Sequence, residues 1–363
     1  GAAHLVARLL ELATATGGGG LSDRASTSLC AADRGANTAS AASSDLFGRD
    51  ADIDALCKRL MNHPGRLLTL IGPPGVGKTS LAQAVVCRLA PFHADGAHTV
   101  WLGEVSDSAG AAAAIATALG SIEDQRPPEA RLIDLLRSRE LLLFLDNFDD
   151  FARVASITSL VANLLQACPR LRILVTSRTR LKLRAEQSIQ IQPLDSQSAG
   201  ALFVARVRTH QPSYAPTPTQ QAAIDEICRL LDNLPLAIEL IAAHASEMTV
   251  QDLLTHVRTD RLTLLEKRAA KLSSEQRTLI AALQHSYALL APPEQRALRI
   301  LSVFDGGVGL DGVTALAVDL LVVQALADKS LVRIESVGDG RRVRLLETVR
   351  EYAAMLLAAD ESD

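Results

Sequence analysis

Gly72-Pro73-Pro74-Gly75-Val76-Gly77-Lys78-Thr79 fits the pattern GxxxxGK[ST] in full. It follows an apolar run at 67–71 and opens a helical pattern at 78–89. A strand before and a helix after are the context a phosphate-binding loop needs. Gly75 and Gly77 let the backbone curl until its N–H groups point inward. The free amides and dipole of the helix start favour an anion. In that setting Lys78 reaches the β- and γ-phosphates, and the Thr79 hydroxyl ligates Mg²⁺. Ser80, next in the helix, completes the expected phosphate-binding set. The bland reading is a glycine turn between a strand and a helix.

A second apolar run, at 141–145, ends in Asp146. In a parallel sheet the carboxyl ends of the strands lie on the ligand side. Asp146 is therefore placed to hold Mg²⁺, as a Walker B acid does. An acid there also serves as a helix cap or turn residue. The residue that follows is Asn147, not a second acid. A neutral amide can orient a water but cannot take its proton. A third run, at 172–176, ends in Ser177 and Arg178. Arg178 is a candidate sensor of a terminal phosphate, against a solvated or ion-paired arginine. Lys78, Asp146 and Arg178 are thus the candidate catalytic groups.

These residues need a scaffold. Apolar runs at 67–71, 99–102, 141–145, 172–176 and 189–191 alternate with helical patterns at 78–89, 109–119, 129–139 and 151–167. That alternation predicts an α/β fold with a parallel sheet. From about residue 196 the strands stop, and helices are expected at 197–208, 219–231, 236–245 and 250–257. A last segment has helical patterns at 275–290, 293–301, 312–317 and 320–328. Extended runs at 331–336 and 343–345 follow, around Gly338-Asp339-Gly340. Helices closed by one hairpin fit a winged-helix module. Trp101 is expected in the core, and His244 as a packed or capping residue.

Composition bounds the remaining choices. Of 363 residues, 48% are hydrophobic and 21% charged, as in globular proteins. Aromatics are 3%, too few for a base-stacking platform. The net charge of −4 gives no whole-chain attraction for polyanions. Five scattered cysteines show no CxxC, so a reduced, cytoplasmic setting without a zinc site is expected. No apolar stretch is long enough to span a membrane. Residues 13–45 hold 24 Ala, Ser, Thr or Gly out of 33, a linker composition. Both ends read as cut from something longer.

Together the motifs resemble the STAND class of signal-transduction ATPases, in its NB-ARC-like branch and of the bacterial transcription-regulator type. Leu46-Phe47-Gly48-Arg49-Asp50 resembles the class's opening motif, which implies adenine contacts from Phe47 and Arg49. Asp232-Asn233-Leu234-Pro235-Leu236-Ala237 resembles its GLPLA motif, which implies that Pro235 touches the base. Residues 172–178 resemble its sensor strand. Ser286-Tyr287, 304–307, 328–332 and 345–353 resemble its winged helix. Asn233 stands where glycine is usual, and Asn tolerates positive φ. Leu345-Leu346-Glu347 stands where other branches have Met-His-Asp, so a histidine contact to ADP is not carried over. Leu345 and Leu346 are expected in the winged-helix core, with Glu347 capping the closing helix.

The resemblance implies a linker at 1–45, a P-loop nucleotide-binding domain at 46–195, a helical domain at 196–270 and a winged-helix domain at 271–363. It implies an ATP/ADP switch with Mg²⁺, slow hydrolysis, effector and sensor domains outside this chain, and nucleotide-controlled self-assembly. Two other readings stand beside it. An AAA+ motor or loader wants an Asp-Glu pair where Asp146-Asn147 stands. A winged-helix DNA reader wants a basic face, but 275–360 carries nine Lys/Arg against eleven Asp/Glu. Direct DNA binding by this stretch is therefore not expected, although Arg341, Arg342 and Arg344 are a local basic exception.

Overall fold

Five short strands form one parallel sheet: β1 (Leu67–Ile71), β2 (Ala97–Trp101), β3 (Leu142–Asp146), β4 (Arg172–Ser177) and β5 (Glu186–Gln190). Their order is β2-β3-β4-β1-β5, so β1 lies between β4 and β5. The structure is a computed structural model. It describes residues 46–102, 105, 107–121, 125–148, 151–259, 283–284, 286–304, 306–337 and 340–360. These belong to one compact unit, Asp45–Asp363. The expected linker, the acids Asp149 and Asp150 that could stand in for a second acid only if the loop after Asn147 turned back, and most of the 275–290 helix lie outside the described residues.

The central strands alternate between two cores. Leu68 and Leu70 of β1, Leu142 and Phe144 of β3, and Leu174 of β4 join one cluster. Leu67, Leu143, Leu145, Ile173 and Val175 join the other. A strand buried on both faces reads as a continuous apolar run, which is why these three were visible in sequence. The first cluster is covered by α1 (Asp50–Asn62) and α2 (Lys78–Leu89). The second is covered by α3 (Ser108–Ala118), α4 (Pro128–Leu136) and α5 (Phe151–Ala167).

The edge strands departed from expectation. β5 runs Glu186–Gln190, three residues earlier than the apolar signal, because its pairing with β1 is set by backbone and its side chains are half-buried. Trp101 is 54% exposed, which corrects its expected place in the core. On an edge strand only alternate residues face the sheet's packed side. Val100 takes that place and Trp101 points away.

Beyond the sheet come α6 (Ser196–His210), α7 (Pro218–Leu230), α8 (Pro235–Ala242) and α9 (Val250–Thr259). Asp195 and Thr217 cap α6 and α7 through their side chains. His244 is buried in the 3₁₀ turn after α8, as expected. The C-terminal part holds α10 (Pro292–Leu301), β6 (Val308–Gly309), α11 (Leu310–Ala315), α12 (Leu320–Asp328), β7 (Val332–Val337), β8 (Gly340–Leu345) and α13 (Glu347–Asp360). Its antiparallel sheet has the order β6-β8-β7. Val332, Val343, Leu345 and Leu346 are buried there.

The thiols of Cys57, Cys168 and Cys228 are buried. Burial pushes Cys57 up to about 11 and Cys228 up to about 12, so both stay protonated. Among the described residues no helix is long and apolar enough to cross a membrane.

Candidate functional site

The phosphate loop runs from the end of β1 into α2, as the motif requires. Gly77 is the N-cap of α2 with φ 91°, a left-handed conformation that L side chains rarely adopt. The first turn of α2 carries no acid, so its amides and dipole stay suited to an anion. Gly72, Pro73, Pro74 and Val76 are buried, which fixes the loop's base. Lys78 Nζ donates to the carbonyls of Gly72 at 2.9 Å and Pro73 at 3.1 Å. The cation is therefore folded back over the loop it belongs to. Ser80 is exposed in the first turn of α2.

Asp146 meets the loop at Thr79. Thr79 Oγ1 donates to Asp146 Oδ1 at 2.9 Å. A carboxylate beside a hydroxyl is a hard oxygen donor set of the kind Mg²⁺ takes, with phosphate and water completing the shell. These two residues fit the ion. Among the described residues no cluster of three His, Cys, Asp or Glu offers an alternative metal site.

Thr176 is a residue that motif reading missed. From the end of β4 its hydroxyl also donates to Asp146 Oδ1, and it accepts the Asn147 amide at 3.1 Å. Asn147 has φ 63°, which turns the chain sharply after Asp146. Phe148 then bonds back to β4: its amide donates to Thr176 O at 3.0 Å, and its carbonyl accepts from Ser177 Oγ at 2.7 Å. The hydroxyl run Thr176-Ser177 at a strand end was the available signal.

Two further elements clamp the loop. Arg49 is buried; its guanidinium pairs with Asp52 at 2.8 Å and donates to the carbonyls of Gln192 at 2.7 Å and Val76 at 3.4 Å. It thus ties α1 to the loop and to the chain leaving β5. Phe47, half-buried, packs on the core beside it. Pro235 is the first residue of α8, and the Leu236 amide donates to Gly75 O at 3.2 Å. Just before it, Asp232 and Asn233 have φ 55° and 52°, so Asn233 does keep the turn. Asp232 Oδ2 accepts the Thr348 amide at 3.2 Å, in the first turn of α13. The side chain of Glu347 lies outside the described residues; the acceptor seen at that helix start is Asp232.

Arg178 lies one residue past the register pair Ile71↔Ser177, beside the start of the loop. Its Nη1 donates to Ser286 Oγ, and its carbonyl accepts from Ser330 Oγ at 3.3 Å. Both serines lie in motifs read from the sequence, Ser286-Tyr287 and 328–332, but their contacts with Arg178 were not expected.

A family model described as novel STAND NTPase 1 matches residues 38–214. The protein Rv0894 of Mycobacterium tuberculosis is 32% identical over 319 residues, covering 85% of this chain and 80% of that protein. Rv0890c of the same organism, which bears the name of an HTH-type transcriptional regulator, is 36% identical over 308 residues. That match covers 81% of this chain but 34% of the regulator, so the chain spans about a third of its length. Among solved structures, a Pyrococcus horikoshii STAND protein with a tetratricopeptide repeat sensor superposes with a TM-score of 0.36 at 17% identity. It covers 84% of this chain and 42% of that one. A family model seated on the phosphate loop, and a relative matched along four-fifths of its length, make this chain a member of the STAND NTPase family.

Proposed function

We propose that the chain is an ATP/ADP-binding switch, the central module of a larger signal-transduction or transcription-regulatory protein. The observation that carries this reading is the Lys78–Thr79–Asp146 arrangement, followed by Asn147 rather than an acid. Lys78 and the loop amides hold the phosphates, and Thr79 and Asp146 hold Mg²⁺. Mg²⁺ supplies charge neutralisation at the phosphates. Asn147 has no basic group with which to take a proton from water, which supports slow hydrolysis and argues against a motor. The adenine lies toward Phe47, Arg49 and Pro235, and Arg178 answers to the terminal phosphate. In this reading 46–195 is the nucleotide domain, 196–270 the helical domain and 271–363 the winged helix.

Nucleotide state then sets how these parts close and whether copies self-assemble, in the cytoplasm, under effector and sensor domains beyond this chain. The hairpin exposes Arg341, Arg342 and Arg344, but α12 carries no cation between Leu320 and Asp328. This favours a regulatory winged helix over one that reads bases.

The test is Lys78→Ala, assayed by calorimetry with ATP and ADP in Mg²⁺. Loss of binding, and of the ligand-dependent rise in melting temperature, is expected. The wild-type turnover should fall well below the enzyme median of ~10 s⁻¹. Unchanged affinity in the variant overturns the phosphate-loop assignment, and fast turnover overturns the switch.

A further inference from the structure

We propose that Trp101 belongs to the nucleotide site as its outer wall: the indole flanks the Asp146 carboxylate and screens the Mg²⁺ position from bulk water. The inference rests on the nucleotide-switch reading and adds a residue to that site. It starts from the registers of the sheet. Trp101 of β2 pairs with Asp146 of β3, and Leu145 pairs with Val175 of β4, which brings Asp146 beside Thr176. Three neighbouring strands thus end in one row with Asp146 in the middle. The Thr176 hydroxyl donates to Asp146 Oδ1 from one side, and Trp101 stands on the other.

The face is fixed by alternation along the strands. Val100 and Leu145 are partners, and both join the second core cluster. Ala97 and Leu142 are partners, and both pack into the first. Trp101 and Asp146 share the parity of Ala97 and Leu142, so they lie on the first cluster's face. That is the side from which α2 brings Thr79 to Asp146. The indole is held there. Val100 and Leu102 on either side of it are buried, and the Leu102 amide donates to Asp146 O at 3.0 Å.

On this face Trp101 has little cover: it is 54% exposed, and Thr99 is exposed as well. A large apolar ring left in water beside a carboxylate gains by being covered. A nucleotide with its Mg²⁺ at Thr79 and Asp146 supplies that cover. The ring in turn lowers the local dielectric beside the carboxylate, which strengthens its hold on a cation. Indole carries one donor and no acceptor, so it cannot take a proton from water. The wall keeps water out and adds no base to a site whose Asn147 has none.

Trp101 is the chain's single tryptophan, so tryptophan emission reports on this place alone. The test records that emission in the full chain with ADP and either Mg²⁺ or Mn²⁺, a paramagnetic ion that quenches indole at short range. Calorimetry follows binding in the same mixtures. Mn²⁺ with ADP should quench the emission, excess Mg²⁺ should reverse the loss, and Asp146→Asn should abolish it. In Trp101→Ala the Mg²⁺-dependent share of ADP affinity should fall about three- to tenfold, with the affinity in chelator unchanged. Trp101→Phe keeps an apolar ring and should restore most of that share. A merely structural role on an edge strand would move thermal unfolding and leave the difference between Mg²⁺ and chelator as it is. ADP binding without quenching by Mn²⁺, or an unchanged Mg²⁺-dependent share in Trp101→Ala, overturns this proposal alone. Binding of neither ADP nor ATP by the wild-type chain overturns the switch reading and this inference with it.

Discussion

Thr69 in β1 and Thr176 in β4 sit on adjacent strands, both buried, and differ in what their hydroxyls do. Thr69 Oγ1 has no hydrogen-bond partner among the described residues. Thr176 Oγ1 donates to the Asp146 carboxylate and accepts the Asn147 amide. Valine has nearly the shape of threonine without the hydroxyl, so the same substitution isolates the polar contribution at each place. Thr69→Val removes a buried group that costs ~1–3 kcal/mol to desolvate unpaired, and should leave stability unchanged or raise it by about 1 kcal/mol. Thr176→Val removes a bond to a charged group, worth ~1.5–3 kcal/mol, and a neutral one worth ~0.5–1.5 kcal/mol. The expected loss is therefore about 2–4 kcal/mol. At roughly 2–4 °C per kcal/mol for a chain of this size, the two variants should melt well apart. Urea unfolding at one pH measures both. Variants that agree to within about 0.5 kcal/mol would falsify the assignment of these two hydroxyls. At the site itself Thr176→Val removes one of the two hydroxyls that donate to Asp146 Oδ1 and keeps that of Thr79. The Mg²⁺-dependent share of nucleotide affinity should fall, and the affinity measured in chelator should not.

Two other perturbations probe the frame. His93 is buried, and burial is the main cause that lowers its pKa from 6.5; the Leu89 carbonyl opposes this, Arg172 adds to it and Glu140 opposes it. The unfolded chain then takes up a proton that the folded chain refuses, so stability should fall as pH drops below about 6.5. His93→Phe should flatten that part of a pH series of unfolding free energies, and an unaltered slope sinks the idea. Asp232→Ala removes the acceptor for the Thr348 amide and places a Cβ-bearing residue without a side-chain acceptor at φ 55°. A loss of ~1–3 kcal/mol is expected from the lost cap and the left-handed backbone. Asp232→Asn should recover most of it in thermal unfolding, and equal losses would refute the capping role.

What could be read in advance follows from how local each signal is. β1, β3 and β4 are apolar runs buried on both faces, and α5 and α12 keep one periodicity from end to end. They surfaced at or near their true limits. β2 and β5 lie at the sheet edges, where half-buried polar residues blur the pattern and Trp101 can face out. The phosphate loop and Asp146 were legible because each is a strand end with its own short signature. The contacts of Thr176, Asp232 and Ser286 were not, although the last two lie in motifs that were read, because each partner is 30, 116 or 108 residues away. No window of sequence contains both halves of those contacts.

The Asp232–Asn233 pair shows why a departure from a motif need not be a loss. Two consecutive non-glycine residues with positive φ cost about 1–2 kcal/mol each for an ordinary side chain, and less for Asp and Asn. Glycine at 233 would remove the strain there, and the carboxylate that caps α13 would stay, because it belongs to Asp232. Backbone and side-chain hydrogen bonds hold the strained turn. The amides of Asp232 and Asn233 close onto Arg229 O at 3.1 Å and Cys228 O at 2.9 Å. Asn233 O accepts the Leu194 amide at 3.2 Å, and Asp232 accepts that of Thr348. Three residues on, the Leu236 amide is fixed to Gly75 of the phosphate loop. One turn thus touches the loop, the chain leaving the sheet and the start of α13. Displacing the loop by even a fraction of an ångström must strain or break one of these bonds, because packed interiors shift between discrete arrangements rather than deform smoothly. Through the Asp232 carboxylate and the Leu236 amide, this turn makes the phosphate loop and α13 parts of one joint.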